Sequence, residues 1–180
     1  MSERWFFAIW PDDAVREALL TVLNRSGRLP GRPTHPLDWH LTLTFVGVLP
    51  PGGLACVESA ATAVRTSAFQ MSLERIGHFS GSQVLWCGPS FPPRQLTELA
   101  QDLQARLTAD CGLRSDPRPY CPHLTLARRV RSAPPLQIDQ PIAWTVSEWI
   151  LAYGVSGSVP RYRVHRRYPL AVDPGAWASG

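Results

Sequence analysis

The tetrapeptide His-Leu-Thr-Leu stands at 40–43 and again at 123–126, so two of the five histidines of this chain sit in identical four-residue words. On a β-strand successive side chains point to opposite faces, which sets His40 and Thr42 against Leu41 and Leu43, and His123 and Thr125 against Leu124 and Leu126. Each word is therefore a strand with one apolar face and one face bearing an imidazole beside a hydroxyl. One such strand is explained by a packed or surface histidine. Two copies, in phase with their leucine faces, ask for a fold that brings distant strands across a pseudo-twofold axis onto a single site.

The chemistry that fits is acid/base work at phosphorus. Imidazole has an unperturbed pKa near 6.5, so one copy can act as base while the other acts as acid at neutral pH. A facing pair can run an in-line displacement without a metal, while the hydroxyls of Thr42 and Thr125 hold the non-bridging oxygens. Arg128, five residues after His123, supplies the fixed positive charge that two neutral hydroxyls lack. From the residues alone the two histidines are interchangeable.

Composition narrows the alternatives. A chain of 180 residues fits one domain or two intimate lobes and can bury a core without metal or disulfides. None of its eighteen basic residues is a lysine, which excludes lysyl-adenylate ligases, P-loop nucleotidases and Schiff-base enzymes. The guanidinium groups gather at Arg128, Arg129 and Arg131 and at Arg161, Arg163, Arg166 and Arg167, a basic surface suited to RNA or another polyanion. Cys56, Cys87, Cys111 and Cys121 show neither a C-x-x-C pair nor zinc-ligand spacing, and reduced thiols are expected. No metal site is predicted. No window approaches the roughly 18 apolar residues of a membrane span. The opening MSERWFFAIWPDD is too short in its apolar run for a secretory signal, so a cytoplasmic protein is expected.

The order of elements reads β-α-β-α-β-β-α-β-β-β. Residues 4–10 form a strand ended by Pro11; Asp12 or Asp13 caps a helix carrying Val15, Leu19, Val22 and Leu23. Residues 39–47 form a strand, and 54–65 a helix. Strands at 69–76 and 83–87 flank a turn at 78–82. After Pro92 and Pro93 a helix carries Leu96, Leu99, Leu103 and Leu107 until Gly112 closes it. Strands follow at 142–153 and 160–170. The predicted fold is α+β, one domain over 1–180 with two pseudo-symmetric lobes, antiparallel sheets facing a central cleft, helices outside, and a frayed tail from about 172.

With the elements in place, the chain resembles the 2H phosphoesterase superfamily, and within it the RNA 2′,3′-cyclic phosphodiesterases long called 2′-5′ RNA ligases. The likeness rests on the paired words, the opening Arg4-Trp5-Phe6-Phe7-Ala8-Ile9, the run from His40 to Gly47, Val84-Leu85-Trp86, the run from Pro122 to Arg128, and the closing Tyr168-Pro169-Leu170. It implies a bilobal α+β fold and hydrolysis of a terminal 2′,3′-cyclic phosphate to a 2′-phosphate without a cofactor. It also implies His40 as donor to the leaving 3′ oxygen, His123 as base for water, and Thr42, Thr125 and Arg128 as phosphate ligands. The substrate would be RNA with a cyclic-phosphate end, tRNA fragments included, and the enzyme a monomer. Two alternatives share the cleft: 2′-5′ joining of cyclic-phosphate and 5′-hydroxyl ends, and non-catalytic binding of RNA ends.

At position 44 many relatives carry Lys where this chain has Thr44. Strand alternation places that side chain on the His40 face, so a cation is expected to be missing from the cleft. His35, His78 and His165 have no partner at fixed spacing and read as structural or solvent-facing. Phe79, in the predicted hairpin tip, is a candidate base-stacking residue, and of the neighbouring Phe6 and Phe7 one must face each side of the strand, with packing in the core the expected role. Alternation sets Arg161, Arg163, His165 and Arg167 on one face of an edge strand, solvated or in contact with RNA backbone.

Overall fold

A computed structural model describes residues 3–25, 27–114 and 117–171. The tail expected from 172 lies outside the described residues. In chain order the elements are β1 (Arg4–Ile9), α1 (Asp13–Arg25), β2 (Arg32–Pro33), a 3-10 turn (Pro36–Asp38), β3 (Leu41–Gly47), α2 (Gly53–Thr62), β4 (Phe69–Leu73), β5 (Arg75–Phe79), β6 (Val84–Gly88), α3 (Arg94–Cys111), β7 (Leu124–Arg128), β8 (Ile142–Val146), β9 (Glu148–Gly154) and β10 (Tyr162–Pro169).

Local signals explain the helices. The Asp12 carboxylate accepts from the Val15 N–H at 2.8 Å and so caps α1, which buries Val15, Leu19 and Leu23. Pro93 precedes α3, and Gly112 ends it in the left-handed region at φ 65°, its N–H returning to the carbonyls of Leu107 and Thr108. The leucine stripe of α3 is wholly buried. Among the described residues no helix is long and apolar enough to cross a membrane.

The large antiparallel sheet runs β10-β9-β1-β3-β7-β6-β5, with β2 added beside β7, while β4 and β8 pair separately. Its two halves meet through one rung, Leu41 opposite Leu124. These are the second residues of the two repeated words, so matching positions pair across the join and mark a pseudo-twofold axis. Antiparallel counting from that rung brings His40 toward Thr125 and Thr42 toward His123. Phe7, Ile9, Leu41, Leu43, Leu124, Leu126 and Leu151 face the helices and form the main core, whereas Phe6, Ala8, Ile150 and Ala152 cluster on the opposite face.

Several sequence expectations are corrected. Residues 69–76 are not one strand: the chain breaks at Glu74, β4 leaving for the small sheet and β5 for the large one. The stretch 142–153 divides at Ser147 in the same way. His78 and Phe79 lie at the end of β5 rather than in the turn. Two of the four cysteines are not reduced thiols. Cys56 of α2 and Cys111 of α3 form a disulfide with their Cα atoms 5.9 Å apart, while Cys87 and Cys121 are free. The pair is 55 residues apart in sequence, and only helix packing brings it together.

Candidate active site

Both repeated words open onto one cavity of about 400 Å³ on the face away from the helices, lined by His40, Thr42, His123, Thr125 and Arg128. The five residues singled out in the sequence are therefore brought together.

Strict alternation does not produce this lining. Thr42 stands opposite Ala8 and Thr44 opposite Phe7, so Leu43 is an extra residue, a β-bulge that turns both Leu43 and Thr44 toward the helices. Thr44 is accordingly 7% exposed and donates to the Gln104 side chain of α3 at 2.5 Å. The expectation that Thr44 faces the cleft is overturned. Phe45 takes that place, opposite Phe6, 73% exposed and lining the cavity. In β7 the same device recurs: Thr125 pairs with Trp86 and Ala127 with Leu85, making Leu126 the extra residue and carrying Arg128 onto the cavity face.

The two imidazoles are held alike. His40 Nδ1 lies 2.7 Å from the Asp38 carbonyl and His123 Nδ1 2.8 Å from the Cys121 carbonyl, each two residues upstream. A carbonyl only accepts, so Nδ1 carries the proton in both rings and Nε2 is left for exchange. The surroundings differ. His40 stacks on Trp10 at 5.4 Å and touches Phe6 and Tyr162 at centroid distances of 4.8 and 5.0 Å. His123 meets the edge of Phe79 at 5.0 Å and lies 6.3 Å from Trp86. Trp86 lies so close over Gly77 that a Cβ there would come within 2.1 Å of its ring.

Burial lowers the pKa of His40 from 6.5 to about 4, against the opposing pull of its bond to the Asp38 carbonyl; Arg128 and His123 lower it further. The pKa of His123 is lowered as well, first by burial and then by Arg128, with the Cys121 carbonyl opposing. Both rings are neutral at pH 7.

The sequence reading missed Asp38, which is 6% exposed and accepts from the backbone N–H of Arg161 at 2.7 and 2.9 Å and of Tyr162 at 3.0 Å. It ties the turn carrying His40 to the start of β10. A carboxylate two residues before the first motif histidine was its visible signal. The cations of the cavity, besides Arg128, are Arg4 and Arg161. The alternating face expected for β10 does not form. A bulge between Val164 and Arg166 sets His165 and Arg166 on Glu58 of α2, at 3.2 and 3.3 Å, and Arg167 pairs with Glu148. Among the described residues no three His, Cys, Asp or Glu side chains stand close enough to share a metal ion.

A family model described as the 2′-5′ RNA ligase superfamily matches residues 11–154. The chain is 32% identical over 162 residues to an RNA 2′,3′-cyclic phosphodiesterase of Geobacillus stearothermophilus, 83% of this chain but 51% of that protein's length. It is 34% identical over 138 residues to the protein of the same name from Escherichia coli, 74% of this chain and 77% of that one. The crystal structure of E. coli LigT complexed with 3′-AMP superposes with a TM-score of 0.82 at 28% identity, over 94% of this chain and 99% of that chain.

Proposed function

The chain belongs to the 2′-5′ RNA ligase superfamily, and from that premise we propose that it hydrolyses the terminal 2′,3′-cyclic phosphate of RNA to a 2′-phosphate and a free 3′ hydroxyl. The observation that carries this reading is the pair of imidazoles sharing one cavity, each with Nδ1 bound to a backbone carbonyl and Nε2 left to exchange a proton.

In the proposed reaction water attacks phosphorus while the bond to the 3′ oxygen breaks. His123 Nε2 takes the proton of the attacking water, and His40 Nε2–H gives one to the departing oxygen. The Thr42 and Thr125 hydroxyls donate to the non-bridging oxygens, and the Arg128 guanidinium balances their charge. The neutral state of the free site suits His123 as base. His40 gains its proton when the phosphate monoanion enters, because a negative charge beside the ring raises its proton affinity. The aromatic walls around His40 exclude water, which strengthens that interaction. No step needs a metal. That a LigT structure of the same fold is complexed with 3′-AMP supports a nucleotide ligand.

All these groups come from one chain, which supports a monomer acting on RNA ends such as tRNA fragments. RNA as substrate favours the cytoplasm, whereas the Cys56–Cys111 bond favours an oxidising setting; alkylation of freshly lysed cells, followed by mass spectrometry, decides between them.

The test is the product formed from a cyclic-phosphate dinucleotide in the presence of EDTA. A 2′-phosphate is expected. A 3′-phosphate, or no turnover, overturns the reading; a joined 2′-5′ product from a 5′-hydroxyl partner would assign the same cavity to ligation.

A further inference from the structure

Gly31 approaches the end of β7 so closely that a Cβ there would stand 2.4 Å from the Arg128 carbonyl oxygen, and its φ of 72° lies in the left-handed region that favours glycine. This contact lays β2 along β7 with Arg32 directly opposite Arg128 and Pro33 opposite Ala127. Partners in an antiparallel ladder share a face, so Arg32 lies on the cavity face beside Arg128.

Like charges placed opposite each other destabilise a strand pair. Both residues are exposed, and among the described residues neither guanidinium has a carboxylate partner. The other arginine-rich strand behaves differently. In β10, Arg166 is on Glu58, Arg167 on Glu148, and Arg163 on the Pro160 and Tyr162 carbonyls and the Ser158 hydroxyl. The β2–β7 rung sets two guanidinium groups opposite each other, one of them the Arg128 that lines the cavity, an arrangement that an anion would relieve.

We propose that Arg32 binds the phosphodiester on the 5′ side of the terminal nucleoside, so that the site takes an oligonucleotide end in preference to a mononucleotide. The proposal rests on the RNA cyclic-phosphate reading of the cavity. In it Arg128 holds the reacting phosphate and Arg32 the next one along the strand, within reach of two long side chains rooted about 5 Å apart. Planar guanidinium groups suit this through bidentate contact with phosphate oxygens. RNA then leaves the cavity over β2 and β7 rather than along the far end of β10, where Arg166 and Arg167 are paired with glutamates.

The experiment compares kcat/KM for a 2′,3′-cyclic mononucleotide and a dinucleotide with the same terminal base, in wild type, Arg32→Ala, Arg32→Lys and Arg166→Ala. The wild type should prefer the dinucleotide. Arg32→Ala should lose about tenfold on the dinucleotide and no more than about twofold on the mononucleotide, with Arg32→Lys recovering part of the loss. The slope of log kcat/KM for the dinucleotide against log salt should flatten by about 0.7, the value for one phosphate contact to a single strand. Arg166→Ala, on the opposite edge, should leave the ratio of the two substrates unchanged. Equal losses on both substrates, or none, overturn the role of Arg32 while leaving the hydrolase reading standing. Should wild type turn over neither substrate, the hydrolase reading fails. Equilibrium binding of 3′-phosphorylated mono- and dinucleotides then still decides Arg32: about tenfold weaker dinucleotide binding by Arg32→Ala upholds it, and equal binding overturns it.

Discussion

The strands carrying the two His-Leu-Thr-Leu words share their sequence, their bulge and their Nδ1 anchor, yet they present different chemistry at the fifth position after the histidine. In β3 the bulge brings Phe45 onto the cavity face; in β7 it brings Arg128. The anchors differ too. The Asp38 carbonyl that holds His40 belongs to a residue whose carboxylate is bonded to β10, whereas the Cys121 carbonyl that holds His123 belongs to an exposed loop residue. The His40 ring sits among Trp10, Phe6 and Tyr162, whereas the His123 ring meets Phe79 and Trp86. A shared backbone thus holds two imidazoles in different surroundings, each with Nε2 left to exchange a proton.

The largest expected effect tests what the halves have in common. His40→Ala and His123→Ala should each lower kcat by about 10²–10⁴-fold, the usual contribution of a positioned general acid or base, with the far-ultraviolet circular dichroism unchanged. A variant that retains full activity would remove its histidine from the mechanism. Substituting the fifth residues tests where they diverge: Arg128→Ala should cost about 10²-fold in kcat, and Phe45→Ala only a few-fold and mainly in KM. Equal losses would mean that Phe45 and Arg128 serve one role.

The pH profile sharpens the contrast further. Turnover needs one ring protonated and the other neutral, and both pKa values are lowered from 6.5, so kcat/KM should peak below pH 6.5. Because the bound phosphate raises both, the alkaline limb of kcat should lie at higher pH than that of kcat/KM. Stability follows the same shift. The folded state holds His40 neutral down to about pH 4, while the unfolded chain takes up the proton near 6.5, so stability is complete above 6.5 and falls as pH drops toward 4. At about 1.4 kcal/mol per pH unit the loss is at most about 3.5 kcal/mol. Urea unfolding of His40→Gln should show a shallower decline over this window; an identical decline would place the acid sensitivity elsewhere. The smallest effect concerns the bulge. Thr44→Val removes the bond to Gln104 and should cost about 1 kcal/mol with KM unchanged, and a change in KM would put Thr44 back on the cleft.

Sequence patterning reached the helices because their signals are local: an aspartate cap, a leucine stripe and a closing glycine. It reached His40, Thr42, His123 and Thr125 because alternation holds within the repeated words. It failed one residue later. Nothing in Leu43-Thr44-Phe45 or Leu126-Ala127-Arg128 announces a bulge, since the extra residue answers to the register of β1 and β6. Thr44 was therefore misplaced and Phe45 overlooked. Arg128 was found through its spacing and the family likeness, although unbroken alternation would have put Ala127 in its place. The division of 69–76 and 142–153 between two sheets, and the disulfide joining α2 to α3, likewise depend on partners far away in the chain.

The lone rung between Leu41 and Leu124 has a meaning for how such a site is encoded. Two half-length copies meeting there about a true dyad would be obliged to match, each histidine sharing the environment of its twin, and neither could be permanently donor or acceptor. Carrying both halves on one polypeptide lifts that obligation, so each is free to diverge.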